Sequence, residues 1–338
     1  MMAERRRVST GSLPPTSVVG DLVAEAHDRF ASVADGQPST VYPALERADP
    51  GSFGICVAGV AGGVFLAGDA ATSFPIMSVA KPFTFALVCD AIGHDAARER
   101  LGSNATGRPF NSVEAVERAP DGKTNPLVNS GAIATIDLVV GTDHAARWDT
   151  IRSGLSRFAG RDLDLDAETF GSATESNDRN RALAHLLESL GALHQDPLET
   201  VDLYTRQSCL AVTAQDLAVM GATLANGGVN PQTGLRVVSA ESCRYALTVM
   251  TTAGLYETSG DWLYRVGLPG KSGIGGGIVT VSPGKGGLGT FSPPLDQAGN
   301  SVRGQLVAAH LSSRLGLDIF ASTASDGRPM PDPEPTRR

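Results

Sequence analysis

The sequence predicts an α/β (α+β) fold, an antiparallel sheet flanked by helices with an inserted helical lobe. Three observations carry this expectation. Strand-like segments cluster near both ends of the chain, from Phe53 to Ala67 and again after Gly276, while the middle shows helical apolar spacing. No linker long enough to divide the chain and no repeat of fixed period lies between them. With 338 residues and 41% apolar side chains, the chain can bury one large core or two packed lobes. Residues 18–322 are therefore read as a single domain of two interleaved lobes. Residues 1–17 and 323–338, polar or rich in proline and charge, are read as disordered tails.

Taken in order, Phe53 to Val60 and Gly63 to Ala67 read as a hairpin around Ala61-Gly62. Phe74 to Met77 leads into a helix starting near Ser78, whose apolar residues Val79, Phe83, Ala86, Leu87 and Ala91 suit a buried amphipathic helix. Pro82 fixes that start, because proline is tolerated in the first turn, where amide hydrogens have no intrahelical partner. Gly131 to Val140, Arg179 to Leu190, Gln215 to Ala225 and Ala240 to Met250 show helical spacing, and Asn226-Gly227-Gly228 supplies a stop. Ile278 to Ser282 and Leu288 to Ser292 form a second strand pair across Pro283-Gly284-Lys285-Gly286-Gly287, and Leu306 to Leu315 closes the chain as a helix. One sheet is thus assembled from both ends of the chain. The Ser78 helix and the strand after Lys271 meet at the seam between lobes, a favoured place for a ligand.

The chemistry is concentrated in lysine. Of 28 basic residues four are lysines, and two of those sit in Ser78-Val79-Ala80-Lys81 and Lys271-Ser272-Gly273. Arginine stays protonated at any accessible pH, whereas a desolvated lysine can lose its proton and activate a hydroxyl. Residues three apart share a helix face, so Ser78 Oγ and Lys81 Nζ are expected to share a hydrogen bond. Burial beside a second cation, Lys271, is expected to lower the pKa of Lys81. The glycines of Lys271-Ser272-Gly273-Ile274-Gly275-Gly276-Gly277 enter a β-branched strand; a phosphate loop is excluded because no Gly-Lys-Ser/Thr step opens a helix.

Composition excludes other classes. A net charge of −8 argues against nucleic acid or an anionic membrane as the main partner. The run Arg5-Arg6-Arg7 has no signal-length apolar segment after it, and no run of 18 apolar residues occurs, so a cytoplasmic protein without a membrane span is expected. Cys56, Cys89, Cys209 and Cys243 lack paired spacing and read as reduced, buried thiols. None of the six histidines forms His-Glu-x-x-His, so a metal hydrolase is not supported.

A wider set of motifs carries a resemblance. Ser78-x-x-Lys81, Asn125-Pro126-Leu127-Val128-Asn129-Ser130-Gly131, Arg179-Asn180-Arg181, Tyr204 followed by Ser208-Cys209, Leu224-Ala225-Asn226-Gly227-Gly228, Gly254-Leu255-Tyr256-Glu257, Lys271-Ser272-Gly273-Ile274 and Gly299-Asn300-Ser301 occur in the order and register of one family. From about Gly20 to Phe320 the chain resembles the serine-dependent glutaminases. The resemblance implies a fold similar to serine β-lactamases and penicillin-binding (DD-peptidase) enzymes, and hydrolysis of L-glutamine to L-glutamate and ammonia without a cofactor. It also implies a homo-oligomer, dimer or tetramer. Carried over residue by residue, Ser78 is the nucleophile, Lys81 its base, and Tyr256 the shuttle for the proton. The backbone amides of Ser78 and Ile274 form the oxyanion hole, and Asn129, Asn180 and Tyr204 hold the substrate's amino-acid end.

One position departs from the pattern. Seven residues before Asn180 the family has a glutamate that binds the substrate ammonium, and this chain has Ala173. Either Glu175 or Glu168 replaces it after a backbone shift, or the substrate is another primary amide without a free α-ammonium. Ser208-Cys209 reverses the family's order, and Ser130 stands where alanine is usual, adding a hydroxyl near Asn129. On the residues alone, a lactamase-like or peptidase-like hydrolase and a non-catalytic binding or regulatory relative stay open as alternatives.

Overall fold

The computed structural model describes residues 11–322; the tail expected at 323–338 and the first ten residues of the other lie outside the described residues. Five strands form one antiparallel sheet. They are β1 (Gly54–Gly59), β2 (Val64–Gly68), β5 (Gly270–Ser272), β6 (Gly277–Ser282) and β7 (Gly286–Phe291), in the order β2-β1-β7-β6-β5. Between them in sequence, β3 (Phe74–Pro75) and β4 (Ala211–Val212) make a separate two-stranded ladder. The sheet is therefore built from both ends of the chain, with β1 paired to β7 from Gly54↔Phe291 to Gly59↔Gly286. The expected hairpin is present, Ala58 pairing Val64.

The central strands β1, β6 and β7 are buried on both faces. One face packs Ile55, Val57, Ile278 and Leu288 against Val19, Leu22, Val307 and Leu311 of the helices Thr16–Phe30 and Val302–Leu315. The other face carries small residues. A Cβ at Gly287 would lie 2.3 Å from Ala218 O and one at Gly289 2.1 Å from Ala214 O, so any side chain there would push the helix Ala214–Ala225 off the sheet. That helix presents Ala218 and Ala222 to Cys56 and Ala58, so backbone sits nearly on backbone.

A second, larger core fills the helical segments between β3 and β5, with Phe83, Ile133, Leu155, Phe158, Leu183, Leu203 and Leu224 all buried. At its centre runs the helix Lys81–Ile92, with Pro82 in its first turn as expected. It is buried nearly all round rather than on one face, because helices pack on it from several sides. The helices expected at 131–140, 179–190, 215–225 and 240–250 are present as Asn129–Asp137, Asp178–Ser189, Ala214–Ala225 and Ala240–Ala253. The helices Thr16–Phe30, His144–Ala159, Ala167–Glu175 and Pro197–Ser208 are additions to the reading, and the first begins inside the stretch read as tail.

Candidate active site

Ser78 sits in a 3₁₀ turn, Met77–Ala80, that runs straight into the helix Lys81–Ile92. The turn is pinned from behind, where Phe74 and Pro75 pair with Val212 and Ala211 and Ile76 N donates to Leu210 O at 2.9 Å. Met77, directly before the serine, has φ 49°, in the left-handed region that a bulky side chain adopts at a cost of about 1–3 kcal/mol. Tyr256 is strained in the same way at φ 54°. Its turn is held by Ser259 Oγ, which donates to Tyr256 O at 2.8 Å and accepts from Leu255 N at 3.0 Å. Two of the three non-glycine residues with positive φ among the described residues thus flank one point.

The hairpin bend between β5 and β6 comes close to the serine. A Cβ at Gly273 would stand 3.3 Å from Ser78 N, and one at Gly275 only 2.5 Å from Pro75 O. The glycines are there so that two backbones can approach. This sets the Ser78 amide against the bend that carries Ile274, and both residues line the same cavity.

Both lysines of the motifs are wholly buried, Lys81 at 1% exposure and Lys271 at 0%. Burial pushes the Lys81 amine down to about 7. Its hydrogen bonds run to Asn129 Oδ1 at 2.7 Å and Leu127 O at 3.4 Å, not to Ser78 as the spacing suggested. A neutral amine has two N–H bonds and one lone pair. With both N–H bonds turned to carbonyl oxygens, the lone pair is left for a proton. Lys271 lies below its ordinary range, first by burial and then by the charge of Lys81. The two amines are therefore coupled as expected, and burial is the first cause of the lowering of each. Lys271 Nζ donates to Ser272 O at 2.5 Å and lies 4.3 Å from the Tyr256 ring centre. The Tyr256 hydroxyl donates to the same Ser272 carbonyl at 3.2 Å. Its pKa is raised by burial, and a hydrogen bond with Ser78 acts in the opposite sense.

From Asn129 a chain of neutral polar groups crosses the cavity wall. Asn129 Oδ1 also accepts from the Tyr204 hydroxyl at 3.1 Å, Asn129 Nδ2 donates to Asn180 Oδ1 at 3.0 Å, and Asn180 Nδ2 to Asn177 Oδ1 at 2.6 Å. Asn177 Nδ2 ends it on Thr205 Oγ1 at 2.7 Å. Ser78, Asn129, Asn180, Tyr204 and Ile274 line one cavity of about 90 Å³. Tyr256 lines the neighbouring hollow, and Phe110, which lines both, packs on it with ring centres 4.7 Å apart.

Ala173 is on the same wall, buried at 1%. Neither acid proposed to replace it reaches the cavity. Glu175 is exposed, and residues two apart on a helix point about 200° apart. Glu168 is ion-paired with Arg47 on the surface. Ser208 also lines the cavity and donates to Tyr204 O at 2.8 Å, so the reversed order keeps a hydroxyl against the Tyr204 backbone. Ser130 is turned away to Thr124 Oγ1 at 3.1 Å. Sequence reasoning missed Asn177, Thr205, Tyr42, Phe110 and Arg179; Asn177, one helical turn before Asn180, was the one with a spacing signal.

The four cysteines are free and buried, and the thiols of Cys56, Cys89, Cys209 and Cys243 are pushed up to about 12, chiefly by burial. Among the described residues no group of three or more His, Cys, Asp or Glu side chains could hold a metal ion, and no helix is long and apolar enough to cross a membrane.

Known proteins resemble the chain over most of its length. The Glutaminase family model matches residues 36–320. The chain is 62% identical over 315 residues to Glutaminase 2 of Yersinia pestis, covering 93% of each chain, and 48% identical over 291 residues to a glutaminase of Brucella canis, covering 86% of this chain and 92% of that one. Among solved structures, the probable glutaminase ybaS superposes with a TM-score of 0.89 at 42% identity, over 90% of this chain and 99% of the other. Mglu in its glutamate form superposes with a TM-score of 0.84 at 38% identity, over 90% of this chain and 70% of the other. With a family model over most of its length and relatives this close, the chain belongs to the glutaminase family, hydrolases of serine β-lactamase-like fold.

Proposed function

We propose that this glutaminase cleaves the side-chain amide of L-glutamine through an acyl-enzyme on Ser78. Ser78 Oγ attacks the amide carbonyl as the neutral Lys81 amine takes its proton. The oxyanion is met by the amides of Ser78 and Ile274, donors worth about 2.7–4 kcal/mol each in such sites. The C–N bond then breaks, and the proton reaches the departing nitrogen by way of Tyr256, releasing ammonia. Water, deprotonated along the same route, attacks the ester carbonyl, frees L-glutamate and returns the proton to Ser78 Oγ. Lys271, its basicity lowered by burial, sits 4.3 Å from the Tyr256 ring centre and positions that tyrosine. Asn129, Asn180 and Tyr204 hold the amino-acid end.

The observation that carries this reading is Lys81: one helical turn after the serine, wholly buried, brought to about 7, with its N–H bonds directed at Asn129 and Leu127. Steady-state ammonia release from L-glutamine by wild type beside Ser78→Ala tests it; turnover retained in a pure Ser78→Ala preparation removes the acyl-enzyme. The same reading includes one folded domain over 18–322, a dimer or tetramer, and a cytoplasmic location, in keeping with the resemblance and the charge of the chain. Sedimentation of the full chain at micromolar concentration checks the assembly, a monomer ruling it out.

A further inference from the structure

The wall that receives the substrate has an unusual charge balance. None of the residues lining the Ser78 cavity is an aspartate or glutamate, and the single charged side chain on it is Arg179. Arg179 Nε donates to Asn111 O at 2.9 Å, and among the described residues its guanidinium makes no ion pair. The acids nearby in sequence are engaged or turned out: Asp178 pairs with Arg181 at 2.7 Å, Glu168 with Arg47, and Glu175 is exposed.

The neutral groups lean the same way. Along the asparagine relay each side-chain oxygen already accepts from a protein donor: Asn129 Oδ1 from Lys81 and Tyr204, Asn180 Oδ1 from Asn129, Asn177 Oδ1 from Asn180, and Thr205 Oγ1 from Asn177. Each amide nitrogen in that chain keeps a second N–H, and Arg179 keeps its two terminal nitrogens. With both lone pairs of Asn129 Oδ1 taken and Arg179 a donor only, the relay and Arg179 together offer more donors than acceptors. Such a wall suits an anion, which finds N–H groups and a fixed positive charge. A cation finds no carboxylate, and at Ala173 it finds a methyl group.

We propose that the site accepts short primary amides that end in a carboxylate and carry no cationic nitrogen at least as readily as it accepts glutamine, with Arg179 binding the carboxylate and Ala173 leaving the wall free of negative charge. This rests on the reading of Ser78 as the acylated residue. The simplest such substrate is the monoamide of pentanedioic acid, the glutamine skeleton without its α-amino group. The steps balance as for glutamine: the Ser78 Oγ–carbonyl bond forms, the C–N bond breaks with loss of ammonia, and water releases pentanedioate. A cavity of about 90 Å³ keeps the class small.

The test is ammonia release by the full chain with the pentanedioic monoamide and with L-glutamine, in wild type, Arg179→Gln and Ala173→Glu. In wild type kcat/KM for the monoamide is expected to equal or exceed that for L-glutamine. Arg179→Gln should lower it about tenfold or more, and Ala173→Glu should shift the ratio toward L-glutamine by about 10- to 100-fold, the range for one charge-assisted hydrogen bond. A wild-type preference for L-glutamine overturns the proposal and leaves the glutaminase chemistry standing, whereas ammonia from neither substrate removes the Ser78 reading and this one with it. Because Ala173 is buried and Ala173→Glu can fail to fold, thermal stabilisation of Ser78→Ala by pentanedioate and by L-glutamate is measured as well. Greater stabilisation by L-glutamate overturns the proposal without any variant at 173.

Discussion

The two walls of the Ser78 site are built on opposite principles. On one side, outside the cavity lining, Lys81 and Lys271 are taken wholly out of water, and burial lowers the basicity of both amines. On the other side Asn129, Asn180, Asn177 and Thr205 form a neutral relay in which each group satisfies the next. Desolvation creates reactivity on the first wall, while a linked chain of hydrogen bonds creates shape on the second. Chemistry and recognition therefore rest on separate devices and are expected to fail separately. They meet at one atom, Asn129 Oδ1, which accepts from both Lys81 and Tyr204.

The largest break is Ser78→Ala, which should lower kcat by at least about 10⁴-fold with the melting temperature nearly unchanged, as expected for a nucleophile that acts as part of a unit. A rapid-quench search for acyl-enzyme in wild type and its absence in the variant completes the measurement.

Lys81→Met acts on the same wall and separates catalysis from stability. Loss of the base should lower kcat about 10³-fold. Lys81 falls from 10.5 to about 7 on folding, so the unfolded chain binds more protons between those values and wild-type stability rises with pH across that window. At ~1.4 kcal/mol per tenfold change the whole effect is about 5 kcal/mol. Lys81→Met should thus be more stable than wild type below pH 7, with the advantage fading toward pH 10. Lys271 should also regain basicity in the variant, since the charge of Lys81 is the second cause of its depression. Denaturant melts at several pH values check the sign, and an advantage that grows with pH would show that Lys81 is charged in the fold. In wild type, kcat/KM should rise with pH through an acid limb near 7; a flat profile there removes Lys81 as base.

On the recognition wall the effects are smaller and appear in binding. Asn180→Ala breaks the relay between Asn129 and Asn177 and should raise KM about 10- to 100-fold with kcat reduced by less. A loss confined to kcat would place Asn180 on the proton-handling wall.

How much of this was readable beforehand differs between the walls. Ser78 and Lys81 were legible because residues three apart share a helix face and Pro82 fixes where that helix begins. The hairpins of the sheet were legible from short apolar runs on either side of turn residues. The direction of the Lys81 amine was not, since its partners Leu127 and Asn129 come from another segment and only packing brings them there. The helices His144–Ala159 and Pro197–Ser208 did leave signals, namely Asp143 and Asp196 as N-caps and Gly160 in the left-handed C-cap. Glu175 could have been set aside earlier, because two residues along a helix from Ala173 is the opposite face. Asn177 left only its three-residue spacing from Asn180, and Thr205 carries no pattern of its own; it joins the relay only once packing sets it against Asn177.

The finest comparison sets Ser130 against its neighbour Asn129. Both begin the helix Asn129–Asp137, but their side chains diverge: Asn129 joins the two walls of the site, whereas Ser130 is buried at 2% and bonded to Thr124 Oγ1 at 3.1 Å. If hydrogen-bond partnership rather than proximity to the site decides function, Ser130→Ala should leave KM and kcat within about twofold of wild type. It should still lower stability by about 1 kcal/mol, because Thr124, itself 5% exposed, loses its partner. Kinetics and denaturant melts of this one variant read the two quantities independently. A changed KM at unchanged stability would mean that the hydroxyl at 130 turns into the cavity when substrate binds, and that the recognition wall extends one residue further along the helix.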